Sequence, residues 1–114
     1  NRRINWVIGL EYNSSLEQIK SFTETISNYI KNSSDFLVND NFKSFVRLDK
    51  FNDSSVDILV YCFTATNDWE EFLAIKENLA LKIKQEVEKI GLGFASPSQS
   101  VYIENLKKED ISKI

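Results

Sequence analysis

The chain has no histidine, no methionine, one cysteine, one proline and three glycines in 114 residues. Each shortage excludes something. Without histidine, the commonest general base, the usual activator of a nucleophile and the commonest metal ligand are all missing. A single cysteine cannot form an internal disulfide or complete an ordinary zinc site, and it suits a reducing compartment. That residue, Cys62, sits inside Ile58-Leu59-Val60-Tyr61-Cys62-Phe63, the longest apolar run. A thiol there behaves as a small buried hydrophobe, whereas a reactive one wants a basic, partly exposed setting. The run is also far shorter than the ~20 apolar residues that span a bilayer.

A strong positive charge is missing too. The net charge is −3, and the lysines and arginines sit beside acids, as in Lys107-Lys108-Glu109-Asp110. Binding a phosphate backbone draws on clustered cations, so nucleic acid is excluded as a partner. Asn1-Arg2-Arg3-Ile4 is followed by no apolar stretch of the signal-peptide kind. With no initiator methionine, the sequence reads as a piece of a longer protein, with any targeting or membrane segment upstream of Asn1.

What remains is ordinary globular material: 42% hydrophobic and 27% charged, too apolar for a disordered chain. Residues 4–12 alternate, with Ile4, Trp6, Ile8 and Leu10 facing one way and Asn5, Val7, Gly9 and Glu11 the other, which is a strand. Ser14 with Glu17, or Ser15 with Gln18, fits a capping box. The helix after it carries Leu16, Ile19, Phe22, Ile26, Tyr29 and Ile30 on one stripe, and Asn32-Ser33-Ser34-Asp35 ends it. A loop through Asn39-Asp40-Asn41 leads to a second strand over 42–51, with Val46 and Leu48 on one face and Phe45 and Arg47 on the other. Asn52, Asp53, Ser54 and Ser55 form a hairpin turn by composition. The third strand, 56–64, is apolar on both faces over its second half, which marks it as central. Asp68 with Glu71, or Asn67 with Glu70, caps a second helix with the stripe Phe72, Ile75, Leu79, Ile83, Val87 and Ile90. Lys82, Lys84, Glu86, Glu88 and Lys89 are expected to face outward. Gly91 suits a left-handed helix end. The short extended stretch Leu92-Gly93-Phe94 follows, then, past Pro97, an alternating segment.

The order β-α-β-β-α-β, with right-handed crossovers, predicts an α+β ferredoxin-like split βαβ fold with both helices on one sheet face, plus a C-terminal strand-like tail. We assign 1–97 to this domain and 98–114 to the tail.

No catalytic constellation emerges. Asp49, Asp53 and Asp57 flank the hairpin without the ligand pattern, glycine and closing glutamate of a calcium loop. Glu70, Glu71, Glu86 and Glu88 read as solvated helix charges. Gly91-Leu92-Gly93 follows a helix instead of opening one, so it is no phosphate loop. Trp6 and Trp69 suit a core or an interface better than a ligand clamp. The sequence therefore points away from an enzyme and assigns no cofactor or metal. One feature asks for a partner. Leu59, Tyr61 and Phe63 lie on the third-strand face that the helices do not cover, and they form a candidate subunit or domain interface, the alternative being that the chain's own tail folds back over them.

Several segments together resemble the C-terminal cytosolic domain of small-conductance mechanosensitive (MscS-type) channels. The first strand, Arg2-Arg3-Ile4 to Ile8-Gly9-Leu10-Glu11-Tyr12, is similar to that family's. So are the hairpin Leu48-Asp49-Lys50-Phe51-Asn52-Asp53-Ser54-Ser55-Val56, the helix closing Ile-Lys-Gln-Glu-Val-Glu-Lys-Ile-Gly at Gly91, and Leu92 to Tyr102. After Phe94 the sequence departs, with Ala95-Ser96 where a proline-aromatic pair is more usual. The resemblance implies a domain of a heptameric cage on the cytoplasmic side of the inner membrane, itself soluble and without lipid contact. That cage hangs below the pore domain of the same chain, filters solutes through side portals and modulates gating. Val101, Tyr102, Ile103, Glu104, Asn105 and Leu106 would supply the strand of a small parallel barrel at its base. The residues leave two other classes open: a free-standing ferredoxin-like module that senses a small ligand, and an acylphosphatase-like enzyme. The second is weaker, because Tyr12-Asn13-Ser14-Ser15 offers no arginine.

Overall fold

The computed structural model describes residues 2–95. Its elements are β1 (Arg3–Glu11), α1 (Leu16–Asn32), β2 (Phe36–Leu37), β3 (Phe45–Phe51), β4 (Ser55–Thr64) and α2 (Trp69–Lys89). The tail segment 98–114, with the barrel-strand residues named above, lies outside the described residues.

β4 is the centre of the sheet. It pairs antiparallel with all of β1, from Arg3 opposite Phe63 to Glu11 opposite Ser55. Its other edge carries two short strands laid end to end, β2 opposite Phe63 and Thr64 and β3 opposite 56–61. Beyond β1, the stretch after α2 adds a fourth position. Leu10 bridges Phe94 antiparallel, the Glu11 N–H donates to the Gly93 carbonyl at 3.1 Å, and the Ala95 N–H donates to that of Gly9 at 2.9 Å. The chain thus builds the ferredoxin-like order, with the first strand and the hairpin's second strand inside.

Alternation sorts the side chains. Val56, Ile58, Val60, Cys62 and Thr64 of β4 are buried, as are Ile4 and Leu10 of β1 and Val46 of β3. They meet Phe22, Ile26 and Ile30 of α1 and Phe72, Ile75, Leu79, Ile83 and Val87 of α2 in one core. Fully burying each such aliphatic or aromatic side chain is worth about 1.5–3 kcal/mol.

Of the two possible capping boxes for α1, Ser15 with Gln18 forms. The Gln18 N–H donates to Ser15 Oγ at 3.1 Å, and the Ser15 N–H donates to Gln18 Oε1 at 2.8 Å. The same side chain donates through Nε2 to the Ile90 carbonyl at 2.9 Å. One glutamine thereby closes the start of α1 and satisfies a carbonyl at the end of α2. Changing Gln18 to Ala is expected to lower the unfolding free energy by roughly 1–2 kcal/mol, read from urea denaturation. A change below a few tenths would show that water replaces both bonds at no cost. At α2, Asp68 accepts from the Glu71 N–H at 2.9 Å, while Glu71 accepts from Thr66 Oγ1 at 2.5 Å. Gly91, at φ +80°, ends that helix as expected. Its N–H donates to the Glu88 carbonyl at 3.1 Å and that of Leu92 to Val87 at 3.0 Å, the double closure of a Schellman motif.

Three expectations need correction. The predicted strand 42–51 starts only at Phe45, and the predicted loop before it hides β2. Asn39 explains both, because its Oδ1 accepts from the N–H groups of Asn41 and Phe42 at 2.8 and 3.1 Å. That local turn takes the chain off the sheet edge and returns it. Leu16, expected on the core stripe, is 67% exposed, since as the first residue of α1 it lies at the rim of the sheet. Glu86, expected to face outward, is 3% exposed. It lies three residues after Ile83 and seven after Leu79, on the buried stripe itself, where Ser21 Oγ donates to its Oε2 at 3.4 Å.

Candidate assembly surface

The sheet face turned away from the helices can be read row by row from the register. Arg3 stands opposite Phe63, Asn5 opposite Tyr61, Val7 opposite Leu59 and Gly9 opposite Asp57. On the other side of β4, Leu37 stands beside Phe63, Phe45 beside Tyr61, Arg47 beside Leu59 and Lys50 beside Asp57. Cross-strand neighbours of this kind share one face. The first three rows are apolar apart from Asn5 at the edge of the second, with Arg3 closing one end of the first row and Arg47 one end of the third, and the fourth is polar.

The aromatic residues form a connected chain. Phe42 meets Phe63 edge-on at 5.3 Å between ring centres, Phe63 meets Tyr61 edge-on at 5.5 Å, and Tyr61 meets Phe45 at 6.0 Å. Pairs in such geometries add about 0.5–1.5 kcal/mol beyond their buried area. The Arg3 guanidinium lies 5.9 Å from the Tyr61 ring centre, within cation–π range. Among the described residues no helix covers this face: Leu59, Tyr61 and Phe63 are only half-buried, and Val7 and Phe45 are 58% and 41% exposed. The structure thus brings the three sequence-predicted interface residues together. It adds Val7, Phe42, Phe45 and Arg3, which the sequence reading did not include. For Val7, Phe45 and Arg3 the signal was present, because each falls on the outward phase of its strand.

The hairpin turn closes the polar end. The Asn52 N–H donates to the Ser55 carbonyl at 2.8 Å. Asn52 Nδ2 donates to Asp57, and Ser55 Oγ donates to its Oδ1 at 2.8 Å. Asp57 is therefore a buried, hydrogen-bonded post that fixes the turn, in keeping with its reading as one of the polar ends of a hairpin. Gly9 opposite it leaves room for Asp57, Ser55 and Ala95 to converge, each with an atom 3.7 Å from where a Cβ would stand.

The rest of the molecule offers little chemistry. Burial pushes the Cys62 thiol up to about 12, so it stays protonated and unreactive. Trp6 packs at the core. Trp69 instead stacks on Phe72 at 5.5 Å, with the Arg2 guanidinium 4.9 Å from the Trp69 ring centre. A groove of about 430 Å³ between α1 and β3 is lined by Thr23, Asn28, Lys31, Ser44 and Arg47 among others. It holds no nucleophile paired with a base. Among the described residues no three carboxylates or thiols converge as metal ligands, and no helix is long and apolar enough to cross a membrane.

Fold and surface together define a split βαβ domain whose helices cover one side of the sheet and leave an arginine-flanked aromatic face on the other. The chain belongs to the MscS family: the family described as "Mechanosensitive ion channel MscS, C-terminal" matches residues 4–94. It is 40% identical to an uncharacterized MscS family protein of Helicobacter pylori strain J99, over 98% of this chain and 22% of that one. It is 37% identical to the low conductance mechanosensitive channel YnaI of Escherichia coli K12, over 93% of this chain and 30% of that one. The fold matches Arabidopsis thaliana MSL1 with a TM-score of 0.74 at 16% identity, over 84% of this chain and 34% of that one. It also matches closed-state H. pylori MscS, at 0.61 and 20% identity, over 85% of this chain and 36% of that one. The chain spans about a quarter of the length of the curated relatives it matches. This is a family of ion channels.

Proposed function

We propose that this domain is part of the cytosolic cage of a tension-gated channel and acts there by assembly. Family membership supports the reading, and the uncovered aromatic face carries it. An apolar surface of this kind is costly to leave in water and is a sign of a partner. In the full-length protein the domain hangs on the cytoplasmic side of the membrane, below a pore domain formed by the same chain. Copies associate, seven in all, with Leu59, Tyr61 and Phe63 at the subunit interface and residues 101–106 in a barrel at the base. The cage holds the pores in register, filters solutes and modulates gating. It does not sense tension itself.

The test is current from the full-length protein in liposome patches under suction, for wild type, a Tyr61→Asp variant and a form lacking 101–114. Tension-gated current is expected from wild type. Tyr61→Asp is expected to reduce both oligomer and current at least about tenfold, because it places a charge on a desolvated contact. The truncated form is expected to assemble poorly. A well-expressed wild type that passes no current under tension would sink the channel reading.

A further inference from the structure

Helix α2 carries more apolar surface than its core stripe uses. Leu73 and Leu81 are 42% and 57% exposed on its far side. They lie eight residues apart with Glu77 midway, so all three share one line along the helix. Glu70 and Glu77 on this side are exposed. The nearby Lys84 is taken by Glu88, at 2.8 Å, which is the one ion pair among the described residues. The strip is therefore apolar with two acids to spare.

The open sheet face has the opposite character. Its first three rows are apolar apart from Asn5 and are flanked by Arg3 and Arg47, and in the fourth row Lys50 faces Asp57. The two surfaces lie on opposite sides of the domain, one on the bare side of the sheet and the other on the outer side of a helix. A copy cannot bring its own two together, but a neighbour can.

We propose that the open sheet face of one copy seats the Leu73-Glu77-Leu81 strip of α2 from the next copy, with Arg3 and Arg47 meeting Glu70 and Glu77. The inference rests on the oligomeric reading above and names the contact. Guanidinium and carboxylate suit each other geometrically, and desolvation by the surrounding apolar residues strengthens the match. Because the donating and receiving surfaces differ, the contact is heterologous. Repeated with a rotation that closes, it makes a ring, whereas an aromatic face stacked on itself would stop at a two-fold dimer.

The experiment uses the full-length protein with cysteines outside this domain replaced by serine. Cys62 stays, because it is fully buried. Val7→Cys and Leu81→Cys are made separately and together, and a short bismaleimide is added to the purified protein. The double variant is expected to give a ladder of covalent oligomers. Neither single variant is expected to cross-link alone, and the two single variants co-expressed give covalent pairs. Oligomeric protein that yields no ladder overturns the contact but leaves the oligomeric reading standing. Cross-linking by one single variant alone also overturns it, since that marks a like-with-like contact. A monomeric wild type overturns contact and oligomer together. Charge exchange gives an independent readout. Arg47→Glu and Glu77→Arg are each expected to lower cross-linking about tenfold, and together to restore it. A double variant no better than the singles rejects the charge pairing.

Discussion

Replacing Phe22 by alanine is expected to cost about 3–5 kcal/mol of folding free energy, the range for truncating a fully buried aromatic. Phe22 has no exposed surface and sits in the single core between α1 and the sheet. Its loss removes the transfer energy of the ring and leaves a cavity that neighbours such as Ile26, fixed on the same helix, cannot fill. Small domains have only about 5–15 kcal/mol in total, so the variant lies near the edge of folding. Equilibrium urea unfolding of the 114-residue chain measures it, through a lower midpoint at unchanged slope. The informative contrast is Phe63→Ala. That ring is half-buried on the open face, so its truncation is expected to cost the monomer only about 1–2 kcal/mol. A Phe22→Ala cost no larger than that of Phe63→Ala would contradict the placement of the core on the helix side.

Alkaline pH is expected to destabilise the fold by on the order of 2–4 kcal/mol between pH 9 and 12, with Cys62 the principal cause. The thiol ionises near 9.0 when free, and burial holds it protonated up to about 12 in the fold. Below pH 9 both folded and unfolded chains keep the proton, and the site has no effect on stability. Between the two values only the unfolded chain releases it, so stability falls by about 1.4 kcal/mol per pH unit. Tyr29 acts in the same direction at higher pH. Its phenol is raised first by burial and then by the negative charge of Asp35. Cys62→Ala is expected to lower stability near neutrality, through the cavity it leaves, but to flatten the alkaline limb relative to wild type. Unfolding free energies at several pH values for both proteins decide it. Parallel curves would mean that Cys62 is reached by water and is not the cause.

Most of the fold was legible because the two periodicities were clean. Alternation over residues 4–12 and an apolar run on both faces over 56–64 set two strands, and the helical stripes placed Phe22, Ile26, Leu79 and Ile83 in the core. Gly91 announced a helix end that only a left-handed residue closes easily. What escaped the sequence was decided by single side chains acting on the backbone. Asn39 turns the chain off the sheet through its own carbonyl, so a pattern of apolar residues could not separate β2 from β3. Glu86 escaped for another reason: a carboxylate was assigned to solvent by its type, although its spacing from Leu79 and Ile83 put it on the buried line. The candidate surface was half visible. Leu59, Tyr61 and Phe63 could be named from one strand; Phe45, Val7 and Arg3 fall on the outward phase of their own strands, but joining them to that face required the pairing register. Phe42 lies beyond any strand and was found only through its ring contact with Phe63.

The broken strand on the outer side of β4 has a consequence for how copies of this chain avoid one another. A long, flat, unpaired strand would template the addition of a strand from any nascent neighbour, which is the route to domain swapping and amyloid-like aggregates. Here β2 ends after two residues, and β3 slips register between Leu48 and Lys50. That slip sets Asp49 out of line between two charged neighbours one and two residues away, Arg47 and Lys50. Bulge, charge and interruption each spoil the template. Copies of this chain that meet at high concentration are thus steered away from misfolding through their backbones. Their encounters are left to side chains, where a wrong pairing can be undone.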